Sequence, residues 1–366
     1  MLTLNIDSSD HLRTALRTGD LSGQHDADIV RHVESLLIRP LLKTSVTPPH
    51  ACAQGDAVAS TEQQSTGVPA SVDDHVCWST VAGLALLHAG AIAGVAWIVF
   101  HPSTATLVLA MSLYAVCGLA ITAGYHRLFA HRTYRASAIV RWLMLAFGAA
   151  TFQNSAVAWS ADHRAHHADT DGDGDPHAIT RGIWFAHMGW LFRRRVASAD
   201  VSTLRDLWAV RSIRLQHRWY PIYAIGIGLV LPTAIATWWG DPVGGLVVAG
   251  FLRTVVMLQM TFCINSLAHL VGSSRYDRTS SARDSSLAAF VTFGEGYHSF
   301  HHRFPFDYRN GARWWQYDPG KWLIWTLART HLVDTPRTAS PHSIARATAG
   351  RSGRDDTPET FRLTRR

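Results

Sequence analysis

The chain has 366 residues, of which 47% are apolar or aromatic and only 17% charged, whereas an ordinary soluble globule carries about a quarter charged residues. Its formal charge of +7 comes from Lys and Arg scattered along the chain, which suits an anionic membrane face or a phosphate-bearing ligand and argues against nucleic acid as a partner. The four cysteines, Cys52, Cys77, Cys117 and Cys263, form no CxxC pair and two sit in apolar runs, so free thiols of a reducing compartment are expected.

Residues 1–77 read as a polar, mobile N-terminal extension. Ile29, Val33, Leu36 and Leu37 recur at helical spacing and suggest a weakly amphipathic helix near 29–42. The opening residues lack an apolar core segment, so no secretory signal is expected. The apolar runs 79–100 and 104–124 follow, separated by His101-Pro102-Ser103. A second pair, 219–239 and 244–267, is joined by Gly240-Asp241-Pro242-Val243. Each run holds about 20 residues or more, enough to cross roughly 30 Å of hydrocarbon as a helix. Between the pairs, Ile139–Trp159 is apolar but contains Arg141, Gln153 and Asn154, and is expected to lie at the interface or against the bundle. Residues 333–366 read as a basic disordered tail.

The two joins carry no Lys or Arg, while 125–218 and 268–333 carry many. By the positive-inside rule the joins face out and both termini face the cytoplasm. The expected fold is an all-α integral membrane protein: four transmembrane helices in two hairpins, with a helical cytoplasmic cap. A membrane domain thus spans 78–332.

Histidine is the compositional outlier, with 21 in the chain. Three clusters each follow an apolar stretch: His126 and His131; His163, His166 and His167; His298, His301 and His302. Steps of three and four return to nearly the same face of a helix, so each triple can present its imidazoles to one volume. The step of five in the first pair turns the second histidine off that face, so the pair reaches two metals or bends around one. Neutral imidazole is a good ligand for iron, zinc, copper or nickel. The number of histidines exceeds what one tetrahedral zinc needs and points to a two-metal site in the cap. Asn265 and His269, four apart at the end of the last apolar run, are further candidates.

The motifs HRLFAH, HRAHH and HSFHH resemble the three histidine boxes of the membrane fatty-acid desaturases, most closely the acyl-CoA Δ9 (stearoyl-CoA type) branch. Flanking segments that share the likeness include Phe152-Gln153-Asn154, Asp175-Pro176-His177, His187-Met188-Gly189-Trp190, Asn265 to His269, and Phe304 to Tyr308. The resemblance covers residues 78–332. It implies O2-dependent insertion of a cis double bond, at C9, into a saturated long-chain acyl thioester. It implies two Fe2+ held by His126, His131, His163, His166, His167, His269, His298, His301 and His302, with Asn265 acting through a water. The di-iron centre is then the catalyst and no separate acid or base is implied.

The resemblance also places Tyr114 and Gly118 at the closed end of an acyl tunnel, the glycine leaving space. Gln153, Asn154, Trp159, Asp162, Trp190, Arg193, Arg194, Arg195 and Phe262 fall at substrate positions, the arginines near coenzyme A phosphates and Phe262 beside the nucleotide. Ala161 and Phe262 depart from the residues usual in relatives. The acyl carrier is coenzyme A, a carrier protein or a phospholipid. No haem-binding His-Pro-Gly-Gly, iron–sulfur cysteine set or GxGxxG is present, so electrons are expected from a separate ferredoxin or flavin–iron-sulfur reductase. Membrane lipid is the other expected partner, and the location implied is a bacterial inner membrane. The alternatives are a related histidine-box alkane or fatty-acyl hydroxylase or ketolase and, less favoured, a non-enzymatic metal transporter.

Overall fold

The structure, a computed structural model, describes residues 72–195, 204–334 and 336–349. These lie within the compact unit Pro48–Arg366; the other unit, Met1–Thr47, and with it the helix expected near 29–42, lies outside the described residues.

Four helices are long and apolar enough to cross a membrane: Trp78–Phe100, Thr104–Ala130, Tyr220–Trp239 and Pro242–His269. They match the apolar runs of the sequence, but the second and fourth run further than hydropathy alone suggests. Each carries its helix past the apolar stretch and into a histidine motif, so the spans themselves deliver His126 and His269.

Lipid gives helices little hydrophobic reason to associate, so close contact depends on small residues. Gly90 and Gly94, one turn apart on the first span, provide it. A Cβ at Gly90 would collide with the Phe251 ring, and one at Gly94 with the Val247 carbonyl. The first span therefore lies directly on the fourth.

Parts of three spans are π-helical: Ala120–Ala130, Gly226–Val230 and Gly245–Leu252. Such segments shift the hydrogen-bond ladder and leave carbonyls to be satisfied otherwise. Arg253, the one charge in the fourth apolar run, is 3% exposed and serves this need. Its guanidinium donates to the carbonyls of Ala249 (3.1 Å), Gly228 (2.9 Å) and Ala150 (2.9 Å), tying the third and fourth spans to the segment after Ala138–Ala149.

The apolar stretch 139–159 is not one helix. It forms Ala138–Ala149 and Ala156–Ala168, broken at residues where Phe152 and Asn154 take positive φ (60° and 76°). Twelve residues rise only about 18 Å, too short to span. A small antiparallel pairing joins Val72–Val76 to Arg193–Arg195.

Two expectations change. The stretch from 333 is folded through residue 349. Arg337 N–H donates to the Thr133 carbonyl and Ala339 N–H to Asp307, and the helix Pro341–Ala349 lays Ile344 and Ala347 on Tyr276, Phe300 and Phe304. Apolar residues at helical spacing sit there among the Arg and Ser that make the segment look solvated. Residues 350–366 lie outside the described residues. Secondly, Cys117 and Cys263 are free, but Cys77 is disulfide-bonded.

Candidate metal centre

The second span ends in the π-helix Ala120–Ala130, and the His131 N–H closes a π-type bond of 3.0 Å to the His126 carbonyl. A π turn holds more residues than an α turn, so a step of five returns close to the starting face. The two rings stand 4.9 Å apart. This resolves the first pair: both histidines serve one cluster.

The triples behave differently. Ala156–Ala168 presents His163 and His167 to that same cluster but His166 to another, and His298–Arg303 sends His301 to the first and His298 with His302 to the second. The result is a group of five, His126, His131, His163, His167 and His301, beside a group of four, His166, His269, His298 and His302. Within each group the ligand atoms lie within 4.8 Å of one another. Each triple was expected to serve one volume; instead the i, i+4 pairs His163–His167 and His298–His302 each stay together, while His166 and His301 turn to the other group.

The geometry fits metal ions. In the group of five, Nε2–Nε2 separations are 2.7 Å for His131–His163, 3.0 Å for His126–His301 and 2.9 Å for His167–His301. In the group of four they are 3.3 Å for His166–His302 and 3.1 Å for His298–His302. Neighbouring ligands around one first-row ion at about 2.1 Å keep such spacings. Lone pairs that converge this way repel unless a cation or proton sits between them, and protons are scarce here. Burial, reinforced by the surrounding histidines, holds His131, His163, His167, His298, His301 and His302 well below the ordinary imidazole value. His269 Nε2 is buried with no hydrogen-bond partner.

Carboxylates fix which nitrogen faces inward. Glu295 Oε2 lies 2.7 Å from His126 Nδ1, and Asp175 Oδ2 lies 2.9 Å from His166 Nδ1. His269 Nδ1 meets Ser281 Oγ at 2.7 Å, and Ser281 in turn donates to Asp171 at 2.5 Å. Burial would raise the acids, but His126 and Arg127 hold Glu295 down at about 2, and His166 and His177 hold Asp175 at about 2. The fully buried Arg127, which sits inside the first histidine motif, donates to Glu295 (3.3 Å), Asp318 (2.8 Å) and the Tyr308 carbonyl (2.9 Å). Sequence reasoning passed over Glu295, Asp171, Ser281, Arg127 and Asp318. One signal was available: Glu295 is the only acid between Ser285 and Phe306 and precedes His298 by three.

A cavity of about 40 Å³ opens between the two groups, lined by His126, His163, His166 and His298 together with Ile121, Trp159, Thr261, Ile264 and Asn265. Asn265 sits one turn before His269 on that wall. Trp159 lies flat on His163, its centroid 4.9 Å away, and donates to Gln153 (3.2 Å), which donates to Thr261 (2.9 Å).

The remaining sequence candidates divide. Tyr114 is half-buried and Gly118 buried, but the space beside the glycine is filled by Phe293 rather than open. Trp190 stacks edge-on against His177 at 5.4 Å, behind the group of four. Asn154 turns its side-chain oxygen to the Ser155 N–H (2.8 Å), capping its own loop. Asp162 is half-buried on Ala156–Ala168, and Arg193 is exposed at the strand pairing that also contains Arg194 and Arg195. Phe262 differs most: it is 4% exposed and packs with Leu258, Leu87 and the His187 ring (5.8 Å), because its face of the fourth span looks toward the first.

Residues 102–335 match the family profile described as fatty acid desaturase, and every histidine of both groups lies within it. The chain is 44% identical over 239 residues to acyl-CoA desaturase 1 of Saccharomyces cerevisiae, a match covering 64% of this chain and 46% of that protein. It is 35% identical over 298 residues to the Delta(9)-fatty-acid desaturase fat-7 of Caenorhabditis elegans (80% and 88%), and 34% identical over 279 residues to human stearoyl-CoA desaturase 5 (74% and 84%). The chain thus spans about half the length of the Saccharomyces cerevisiae protein.

Proposed function

The chain belongs to the fatty acid desaturase family, and from that premise we propose that it is a membrane acyl-CoA desaturase. It takes two hydrogens from adjacent carbons of a saturated long-chain acyl thioester and leaves a cis double bond at C9. Two electrons from an outside donor, a ferredoxin or a flavin–iron-sulfur reductase, complete the reduction of O2 to water. The observation that carries this reading is the five-plus-four histidine arrangement, set around a small cavity at the ends of membrane-length helices.

The proposed occupants are two iron ions. His126, His131, His163, His167 and His301 hold one; His166, His269, His298 and His302, with a water carried by Asn265, hold the other. Iron bound there would supply the O2 chemistry needed against an aliphatic C–H that offers no acid–base handle. The protein supplies position and dryness. Glu295, Asp175 and the Ser281–Asp171 pair keep the imidazoles oriented. Trp159, Ile121 and Ile264 present apolar walls for the chain beside the histidine groups, and Tyr114 stands further along toward its methyl end. Gln153 and Thr261 are hydrogen-bonded to one another and keep that wall in place. Coenzyme A is the favoured carrier, its phosphates near Arg193–Arg195, with Asp162 and Trp190 on the approach.

In the membrane, the residues 78–332 form two hairpins, the joins outside and the histidine cap cytoplasmic. The relatives quoted are eukaryotic and lend no support to a bacterial inner membrane in particular.

The test is expression in a host that makes no unsaturated fatty acids, with double-bond mapping and iron analysis of the purified protein. Expected are a cis monoene and about two irons per chain, both lost in His163→Ala and His298→Ala. A hydroxylated chain without monoene would replace desaturation by oxygen insertion. Metal binding with no acyl product would overturn the enzyme.

A further inference from the structure

Phe293 has a φ of +54°, in the left-handed region that a bulky side chain occupies only when its surroundings impose it. The next residue, Gly294, has φ +96°, and a Cβ there would come within 2.8 Å of Asp318 Oδ1. Asp318 is fixed by Arg127, and Glu295, one residue on, by His126. The turn that aims Phe293 is thus pinned by the same buried network that orients the histidines.

The turn drives the ring into the second span. A Cβ at Gly118 would lie 2.6 Å from Phe293 Cζ and 2.8 Å from its Cδ2, so only glycine admits the ring. Tyr114 closes over the other side at 5.4 Å, with Cys117, Ala150 and Met257 buried around them. Ile121 and Thr261 line the cavity between the histidine groups. One helical turn deeper along those same spans lie Gly118 and Met257. The ring therefore stands one helical turn beyond the cavity lining, packed between the second and fourth spans.

We propose that Phe293 is the floor of the acyl tunnel and sets the longest chain accepted, with Gly118 as the notch that seats its ring. The inference rests on the acyl-chain reading above. Removing the ring opens an apolar space that stays dry and admits further chain carbons. A Cβ at residue 118 pushes the ring toward the cavity and shortens the tunnel. In an apolar pocket, one methylene changes preference by about tenfold or more.

Phe293→Ala and Phe293→Leu should move the monoene distribution toward longer chains, by about tenfold in the ratio of successive even chain lengths. Gly118→Ala should move it toward shorter ones. Combined with Phe293→Ala, Gly118→Ala should lose most of its effect, because the atoms it displaces are gone; residues in contact couple this way and distant ones add. A second reading needs no turnover: the melting temperature of purified protein with saturated acyl-CoAs of increasing length. The longest stabilising chain should be longer for Phe293→Leu than for the unmodified protein. Monoene of unchanged chain-length distribution in both Phe293 variants, an unchanged length dependence of melting, or additive effects in the double variant would each overturn the proposal. No monoene of any length from the unmodified protein would strike instead at the acyl-chain reading.

Discussion

The two histidine groups draw on the same three motifs, yet the protein holds them by different means. The group of five is anchored in the interior: Glu295 accepts from Thr122, Arg127 and Asn310 as well as facing His126, and Arg127 passes the tie on to Asp318. The group of four is braced by a loop, through Asp175 on His166 and through Asp171 and Ser281 on His269. The first geometry is set by the packing of the fold itself, the second by a surface-connected segment that can adjust. Disturbing the first should cost stability even without metal, whereas disturbing the second should cost occupancy above all.

The largest effect tests both groups together. Chelation that strips the metal should abolish product and lower the melting temperature, since converging imidazoles then face one another uncompensated; equal melting with and without metal would remove the basis for the site. Next, Glu295→Gln removes one of the two carboxylates at buried Arg127 and leaves Asp318, a loss of about 1–3 kcal/mol. It should lower the melting temperature of metal-free protein. Asp175→Asn should leave that nearly unchanged and weaken metal affinity about 10–100-fold. Equal melting losses in the two metal-free variants would erase the contrast. Ser281→Ala lengthens no backbone and removes only the link from His269 to Asp171, so its effect should sit at the low end of that range, read as metal content against chelator concentration.

The smallest effect concerns Asp284, which accepts from the Phe300 N–H (3.1 Å) and so holds the helix carrying His298, His301 and His302. Burial raises its pKa from 3.8 to about 6. A carboxyl raised on folding favours the folded state fully below its unfolded value, and that contribution is lost as pH rises through the folded one. The window is therefore about pH 4 to 6. Asp284→Asn keeps the acceptor and removes the titration, so it should melt higher than the unmodified protein above pH 6, by about 2 °C, and lose that advantage below pH 4. A difference that does not change with pH would place the cause elsewhere.

Much of this was legible beforehand. The spans announce themselves because hydrocarbon admits only long uncharged helices. The histidines do so because one residue type repeats at helical steps beside them. Where the reading stopped is equally physical. Spacing shows which rings share a helix face, but not that His163 and His167 part from His166, because a second centre lies on the other side of the same helix. Nor does it show that the π turn at Ala120–Ala130 brings His131 back toward His126. The resemblance places Phe262 beside the nucleotide; what no sequence pattern shows is that its ring packs against Leu258 and Leu87, on the helix face toward the first span.

By itself the sequence determined the number of spans, the identity of the metal-binding candidates and the likeness to a family, all properties of local composition and short periodicity. Tertiary structure alone decided how nine imidazoles divide into five and four, which acids orient them, and that the gap at Gly118 belongs to Phe293. Those partners are more than thirty residues apart in most cases, and in the Gly118–Phe293 pair far more. No local pattern encodes such a meeting; it is settled when the spans close and the loops must find places for their side chains.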